Sequence, residues 1–226
     1  MERHHFESEL QALKNQLLTM GALVEERVHR AVHSLINRRE EDAQRIIASD
    51  AEVNDLQIDI DERCLRLLAT QTPLAVDLRL ITSAMKINAD LERVGDQAVN
   101  IAENVLKLLP QPPLKPLIDI PRMAAIAEKM IRDSLDAFVR RDPELARDVL
   151  RRDDEVDELK DQVFRELLTY MMADPGTIHR ALALILISRN LERIGDHATN
   201  IAEDVIFIME AKDVRHHRED QEARRS

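Results

Sequence analysis

Residues 91–105 read LERVGDQAVNIAENV, and residues 191–205 read LERIGDHATNIAEDV. Eleven of the fifteen aligned positions are identical, which marks the chain as a duplication before any secondary structure is assigned. Upstream, DAEVNDL at 50–56 aligns with DDEVDEL at 153–159. The offset is 100 at the first pair of stretches and 103 at the second. The first copy therefore carries three extra residues between them, near the turn at Gln71-Thr72-Pro73.

Working outward, each copy parses into three helices. Leu10, Leu13, Leu17, Met20, Val24, Val28, Ala31 and Leu35 recur every three or four residues, the apolar stripe of an amphipathic helix. A charged break at residues 38–41 ends it. The pattern predicts a second helix over about 42–70, stopped by Pro73, and a third over about 75–109. The second copy repeats this over about 121–140, 143–173 and 177–212. Asp142 is the candidate N-cap of the helix that starts with Pro143. The fold class expected is all-α, two tandem pseudo-symmetric three-helix bundles built from six long helices. Their bounds are 1–109 for the first repeat and 122–212 for the second. Between them, residues 110–121 (PQPPLKPLIDIP) hold five of the eight prolines and read as a stiff linker. The tail, 213–226, is charged and poor in apolar residues and is expected to be disordered.

Composition excludes several function classes. Four glycines and 2% aromatics leave little for a β-sandwich or a base-stacking surface. A net charge of −11 argues against nucleic acid, whose binders neutralise phosphates with a basic surface. It also argues against an unaided grip on anionic lipid. The single cysteine, Cys64, rules out an intrachain disulfide and reads as a core residue of a protein in a reducing compartment. The longest apolar run, residues 181–187, is too short to span a bilayer, and the opening MERHHFESEL lacks the apolar segment of a signal peptide. A soluble, cytoplasmic protein is expected.

The residues that carry chemistry are carboxylates. On a helix, Glu92, Asp96, Asn100 and Glu103 stand at i, i+4, i+8 and i+11, one stripe of oxygen donors, and Glu192, Asp196, Asn200 and Glu203 repeat it. On the preceding helix Asp50 and Asn54 stand at i, i+4, as do Asp153 and Asp157. If those two helices pack antiparallel, the stripes face each other. Like charges at i, i+4 cost a few tenths of a kcal/mol, and carboxylates converging between helices cost more unless a cation sits among them. Arg93 or Arg193 could supply it, and so could a divalent metal ion, for which carboxylate and amide oxygens are suitable ligands. The competing reading is a solvated acidic face with surface ion pairs. Gly95 and Gly195, each inside a helix at a cost of ~1 kcal/mol relative to Ala, permit a close approach either of a neighbouring helix or of a ligand cluster. His197 reads as a hydrogen-bonding side chain rather than a ligand, since the first copy has Gln97 there. No Walker loop, GxSxG or HExxH is present, and no catalytic set is found.

At LERVGDQAVNIAE and LERIGDHATNIAE, with QTPLAVDLR before the first, the sequence resembles the PhoU family of phosphate-transport accessory and regulatory proteins. The resemblance runs from about residue 7 to 210 and implies a non-enzymatic adaptor. Its implied partners are the ATPase of a phosphate ABC importer and a membrane sensor histidine kinase, which it keeps silent when phosphate is plentiful. It would then be peripheral to the membrane through those partners, and a homodimer is compatible with it. E(D)xxxD motifs that bind metal clusters in the family map onto Glu92 with Asp96, Glu192 with Asp196, and Asp153 with Asp157. Asp50-x-x-x-Asn54 departs from the motif by ending in Asn. Asn100 and Asn200 extend the stripes as further ligands. Fe, Mn, Mg and Zn all suit the donor set. The alternative function is a carboxylate-rich metal-binding or metal-storage bundle, although the Glu-x-x-His pairs of di-iron bundles are missing. With no phosphate-cradling loop and a charge that repels free phosphate, regulatory information is expected to arrive through protein contact.

Overall fold

A computed structural model describes residues 2–71 and 73–211, and the expected disordered tail lies outside them. Among the described residues there are seven α-helices and no strand: α1 (Glu2–Asn37), α2 (Glu40–Ala48), α3 (Ala51–Thr70), α4 (Ala75–Leu108), α5 (Asp119–Arg140), α6 (Pro143–Ala173) and α7 (Ile178–Glu210). A 3₁₀ turn at Pro175–Thr177 joins the last two. The two repeats are α1 to α4 and α5 to α7, with the second rod of the first repeat in two pieces.

That break is the one departure from the expected six rods. Ser49 leaves the helical register, its N–H shared between the carbonyls of Arg45 and Ile46. The Ser49 carbonyl is turned out to accept from the guanidinium of Arg27 on α1. In the second repeat the position of Arg27 is held by Met130, which offers no donor, and α6 runs through unbroken.

Local chemistry sets the other ends. Asp142 caps α6 through its Oδ1, which accepts from the N–H groups of Glu144 and Leu145 at 3.0 and 3.1 Å, ahead of Pro143. Asp174 Oδ1 accepts from the Gly176 N–H at 2.8 Å in the α6–α7 turn. Arg38 and Arg141, 103 residues apart, both take a left-handed conformation at the ends of α1 and α5, with φ of 53° and 57°. The helices before them thus keep the same offset as the 50–56 and 153–159 stretches, so the three-residue slip falls later, before α4.

α4 and α7 pair across the middle of the molecule; α3 flanks α4 and α6 flanks α7. α1 packs on α3 and α4, α5 on α6 and α7, and α1 also meets α5. Buried Leu13, Leu17, Met20, Ile87, Leu91, Ile101, Met123, Met130, Ile187 and Ile201 belong to one continuous core that spans both repeats. Each such side chain removes ~1.5–3 kcal/mol of apolar exposure from water. The proline-rich linker lies against this body. Arg38 donates to the carbonyls of Leu109 and Gln111 at 2.5 and 2.7 Å, and the buried Lys115 pairs with Glu166 of α6 and with Asp119. No helix among the described residues is long and apolar enough to cross a membrane.

Candidate functional site

The helical hairpins α3–α4 and α6–α7 each bring their acidic stripes together. In the first repeat, Glu92 and Asp96 on α4 face Asp50 at the start of α3. Burial pushes the Glu92 carboxyl up, and the negative charges of Asp96 and Asp50 add to it against Arg93 and His197. Asp96 is pushed up by burial and then by Asp50, again against Arg93 and His197. Asn54 donates to Asp50 Oδ2 at 3.4 Å, so the amide that replaces the second motif carboxylate is tied to the first. Arg27 reaches this corner from behind: Nη1 lies 3.9 Å from Asp50 Oδ1, and Nη2 lies 3.3 Å from Glu52 Oε2. Its side chain is only 4% exposed, yet Nε and Nη1 have no hydrogen-bond partner.

In the second repeat, Asp153 and Asp157 on α6 face Glu192 and Asp196 on α7. Asp153 is pushed up to about 6, first by burial and then by Asp196, Asp157, Asp154 and Glu192. Asp196 is pushed up by burial, Glu192 and Asp157, against His197 and Lys160. Lys160 donates to Asp157 Oδ1 at 3.0 Å and to Glu192 Oε1 at 3.3 Å. Hydrogen bonding to Asp157 raises the lysine's own affinity for its proton. A cation therefore already stands in this cluster. The position equivalent to Lys160 in the first repeat is Gln57, which carries no charge.

The two helical glycines sit at these hairpins. A Cβ at Gly195 would meet Asp153 Oδ1 at 3.4 Å, and one at Gly95 would meet Val53 Cγ1 at 3.3 Å. In the second repeat the approach serves both α6 packing and the carboxylate; in the first it serves packing alone.

Asn200 is not brought to the carboxylates. Its amide donates to Asp90 Oδ1 at 3.1 Å across the α4–α7 interface, where His197 Nδ1 shares the same oxygen at 2.9 Å. The i+8 position faces α7's neighbour α4 rather than α6, because eight residues of helix advance the side chain about 80° round the axis. Asn100, its equivalent on α4, is half-buried, and its backbone carbonyl accepts from Asn104. Cys64 is fully buried, and burial pushes its thiol up to about 12, which fits a core role.

Sequence reasoning missed Arg27, Lys160 and Asp90. Lys160 had a signal, standing three residues after Asp157 and seven after Asp153 on the same helical stripe. Arg27 and Asp90 had none, since each acts on another helix. Among the described residues no three His, Cys, Asp or Glu side chains converge to hold a metal ion. The donor set nonetheless fits one chemically: it is all oxygen, partly buried and mutually repelling, which a hard divalent cation relieves.

Comparison with known proteins agrees with this architecture. The PhoU domain matches residues 17–105 and again 120–205. The phosphate-specific transport system accessory protein PhoU homolog of Pseudomonas aeruginosa is 42% identical over 218 residues, covering 94% of this chain and 90% of that one. Its Aquifex aeolicus counterpart is 43% identical over 208 residues, covering 92% and 94%. The crystal structure of PhoU from Pseudomonas aeruginosa superposes with a TM-score of 0.88 at 41% identity, covering 92% of this chain and all of that one. With two domain matches in tandem and collinear relatives of nearly equal length, this chain belongs to the PhoU family.

Proposed function

We propose that this chain is a non-enzymatic regulator of phosphate uptake. In this reading it is a cytoplasmic adaptor between the ATPase of a phosphate ABC importer and a sensor histidine kinase, and it holds the starvation response off when phosphate is plentiful. The observation that carries the reading is the end-to-end match to proteins named as accessory to phosphate-specific transport, at 42% and 43% identity.

Divalent ions complete the proposal. Asp50, Glu92 and Asp96 would hold metal in the first repeat, and Asp153, Asp157, Glu192 and Asp196 in the second. In the second repeat a bound ion would have to share Asp157 and Glu192 with the Lys160 ammonium. When bound, the metal supplies positive charge to a strongly acidic face, and a partner's polar groups or phosphate could complete its shell. Asn100 would extend the first set, whereas Asn200 would have to give up its hydrogen bond to Asp90 to join the second.

A pull-down from membranes of phosphate-replete and phosphate-starved cells tests the adaptor reading. Importer ATPase and sensor kinase are expected to co-purify with the chain, and recovery of neither in both conditions contradicts it.

A further inference from the structure

Where α4 begins and α5 ends, α1 runs past both and leaves a cavity of about 310 Å³. Gln11 and Lys14 of α1, Asp77 of α4 and Arg141 just past α5 supply its polar walls, together with Glu7. Antiparallel packing of α1 on α5 brings Lys14 and Arg141 level. Glu25 pairs with Arg132 and His29 with Glu128, and Lys14 stands eleven residues before Glu25 as Arg141 stands nine after Arg132. Arg141 and Gln11 are exposed, so the cavity opens to water.

Its charges are not matched by contacts. Among the described residues the side chains of Lys14, Arg141 and Asp77 make no hydrogen bond and no ion pair. Lys14 is half-buried. Burial, and then the Arg141 guanidinium, hold its ammonium below the usual lysine range, with Asp77 acting the other way. Two cations thus sit within repelling range, one of them half out of water, with no acceptor between them. An anion placed there offsets both the repulsion and the desolvation.

The other repeat has the same place filled. Arg38 is the counterpart of Arg141, with the same left-handed backbone, and its guanidinium donates to the linker carbonyls of Leu109 and Gln111. Counted by the offset of 103, Lys14 falls on Leu117; counted by the offset of 100, Asp77 falls on Thr177. The cavity beside Arg38, about 260 Å³, has Leu35, Leu108, Leu114, Leu117 and Leu184 among its walls. One end of the duplication therefore has an apolar cavity with its arginine satisfied. The other has a polar cavity whose lysine and arginine lack an acceptor.

A tetrahedral oxyanion suits these two donors, since the guanidinium presents paired N–H groups and the ammonium a point charge. The carboxylates narrow the choice. Sulfate carries no proton at neutral pH, so Asp77 and Glu7 only repel it, whereas the P–OH of hydrogen phosphate donates a hydrogen bond to a carboxylate. The charge of −11 repels phosphate at long range, but inside the cavity the two nearby cations set the field. We propose that this cavity binds inorganic phosphate, with Lys14 and Arg141 donating to its oxygens and Asp77 accepting from its hydroxyl. The site lies about four turns of α4 from Glu92. It needs no metal, importer or kinase, so its failure and that of the adaptor reading are separable.

Isothermal titration calorimetry of the full chain in chelator, at neutral pH and fixed ionic strength, tests it with inorganic phosphate as the probe and sulfate as the control. One phosphate per chain is expected, with a Kd below ~1 mM, and sulfate should bind at least ~10-fold more weakly. Lys14→Met and Arg141→Asn should each weaken phosphate binding at least ~10-fold. Asp77→Asn should narrow the preference over sulfate to within ~3-fold. Circular dichroism is the folding control. Asparagine suits a left-handed turn, so Arg141→Asn keeps the test valid should Lys14→Met misfold. A wild type that binds no phosphate up to ~10 mM overturns the proposal, as does an affinity indifferent to Arg141→Asn. Equal affinity for sulfate in the wild type also overturns it, as does tighter binding of a phosphate monoester such as glycerol phosphate than of phosphate itself.

Discussion

Lys160 of α6 stands 3.3 Å from the Glu192 carboxylate of α7 and 3.0 Å from Asp157 of its own helix. An ammonium therefore bridges the two helices of the second hairpin, among the mutually repelling Asp153, Asp157, Glu192 and Asp196. The first hairpin has Gln57 at that place; Arg27 from α1 reaches Asp50 there, and Arg93 and His197 are the cations that act on Glu92 and Asp96. The two repeats solve one electrostatic problem with different cations from different helices.

Removing that ammonium should expose the repulsion. Lys160→Met is expected to cost ~1–2 kcal/mol in the presence of chelator, for a part-buried charged group with two hydrogen bonds. In a chain of this size that is a fall in melting temperature of about 3–6 °C. Added divalent metal should recover more stability in the variant than in wild type. An unchanged melting temperature in chelator would show that Lys160 is a bystander.

Asp153 gives the cluster a pH signature. Its folded-state pKa stands at about 6, above the usual carboxylate range. The native state therefore holds the proton more tightly than the unfolded chain, and stability falls as pH rises between about 4 and 6. Asp153→Asn should flatten that fall and, without metal, stabilise the protein at pH 7 by on the order of 1–2 kcal/mol after allowance for solvent screening. Urea denaturation at pH 4 to 7 measures it; a parallel pH profile in wild type and variant contradicts the assignment.

Gly195 separates packing from ligand room. Its missing Cβ would lie 3.4 Å from Asp153 Oδ1 and 3.7 Å from Met130 Cε. Alanine fits with little adjustment and regains helix propensity, so Gly195→Ala should change stability by less than ~1 kcal/mol. Gly195→Leu forces α6 away and should cost ~1–3 kcal/mol. Equal tolerance of both in thermal unfolding would mean that the helices are not held at this distance.

Asp90 and His197 couple the two repeats directly. Asp90 Oδ1 takes both His197 Nδ1 and the Asn200 amide across the α4–α7 interface. A double-mutant cycle of Asp90→Asn and His197→Ala should give a coupling of about 0.5–1.5 kcal/mol. Strict additivity would place the two side chains outside each other's influence.

Much of this organisation could be read from residues alone, for definite reasons. The bounds of α6 follow from Asp142-Pro143 and Asp174-Pro175-Gly176, whose chemistry is local. The offset of 103 reappears in the left-handed Arg38 and Arg141 because both close the first helix of their repeat. What eluded sequence reasoning was settled by distant partners. The break at Ser49 depends on Arg27, twenty-two residues earlier on another helix. The diversion of Asn200 depends on Asp90 in the other repeat. A stripe drawn on one helix assigned the carboxylates to a face, but the neighbouring helices decide where each member of the stripe turns.

The acidic clusters are proposed as the working surface of a phosphate-responsive regulator. The measurement that reaches it most directly is reporter repression of phosphate-starvation genes in a host deleted for its own copy. Wild type should restore repression in high phosphate, and the quadruple variant Glu92→Ala, Asp96→Ala, Glu192→Ala, Asp196→Ala should weaken it while remaining folded, since removing clustered like charges relieves repulsion. Full repression by the folded quadruple variant would contradict the role assigned to the clusters, and failure of the wild type to repress would contradict the regulator itself.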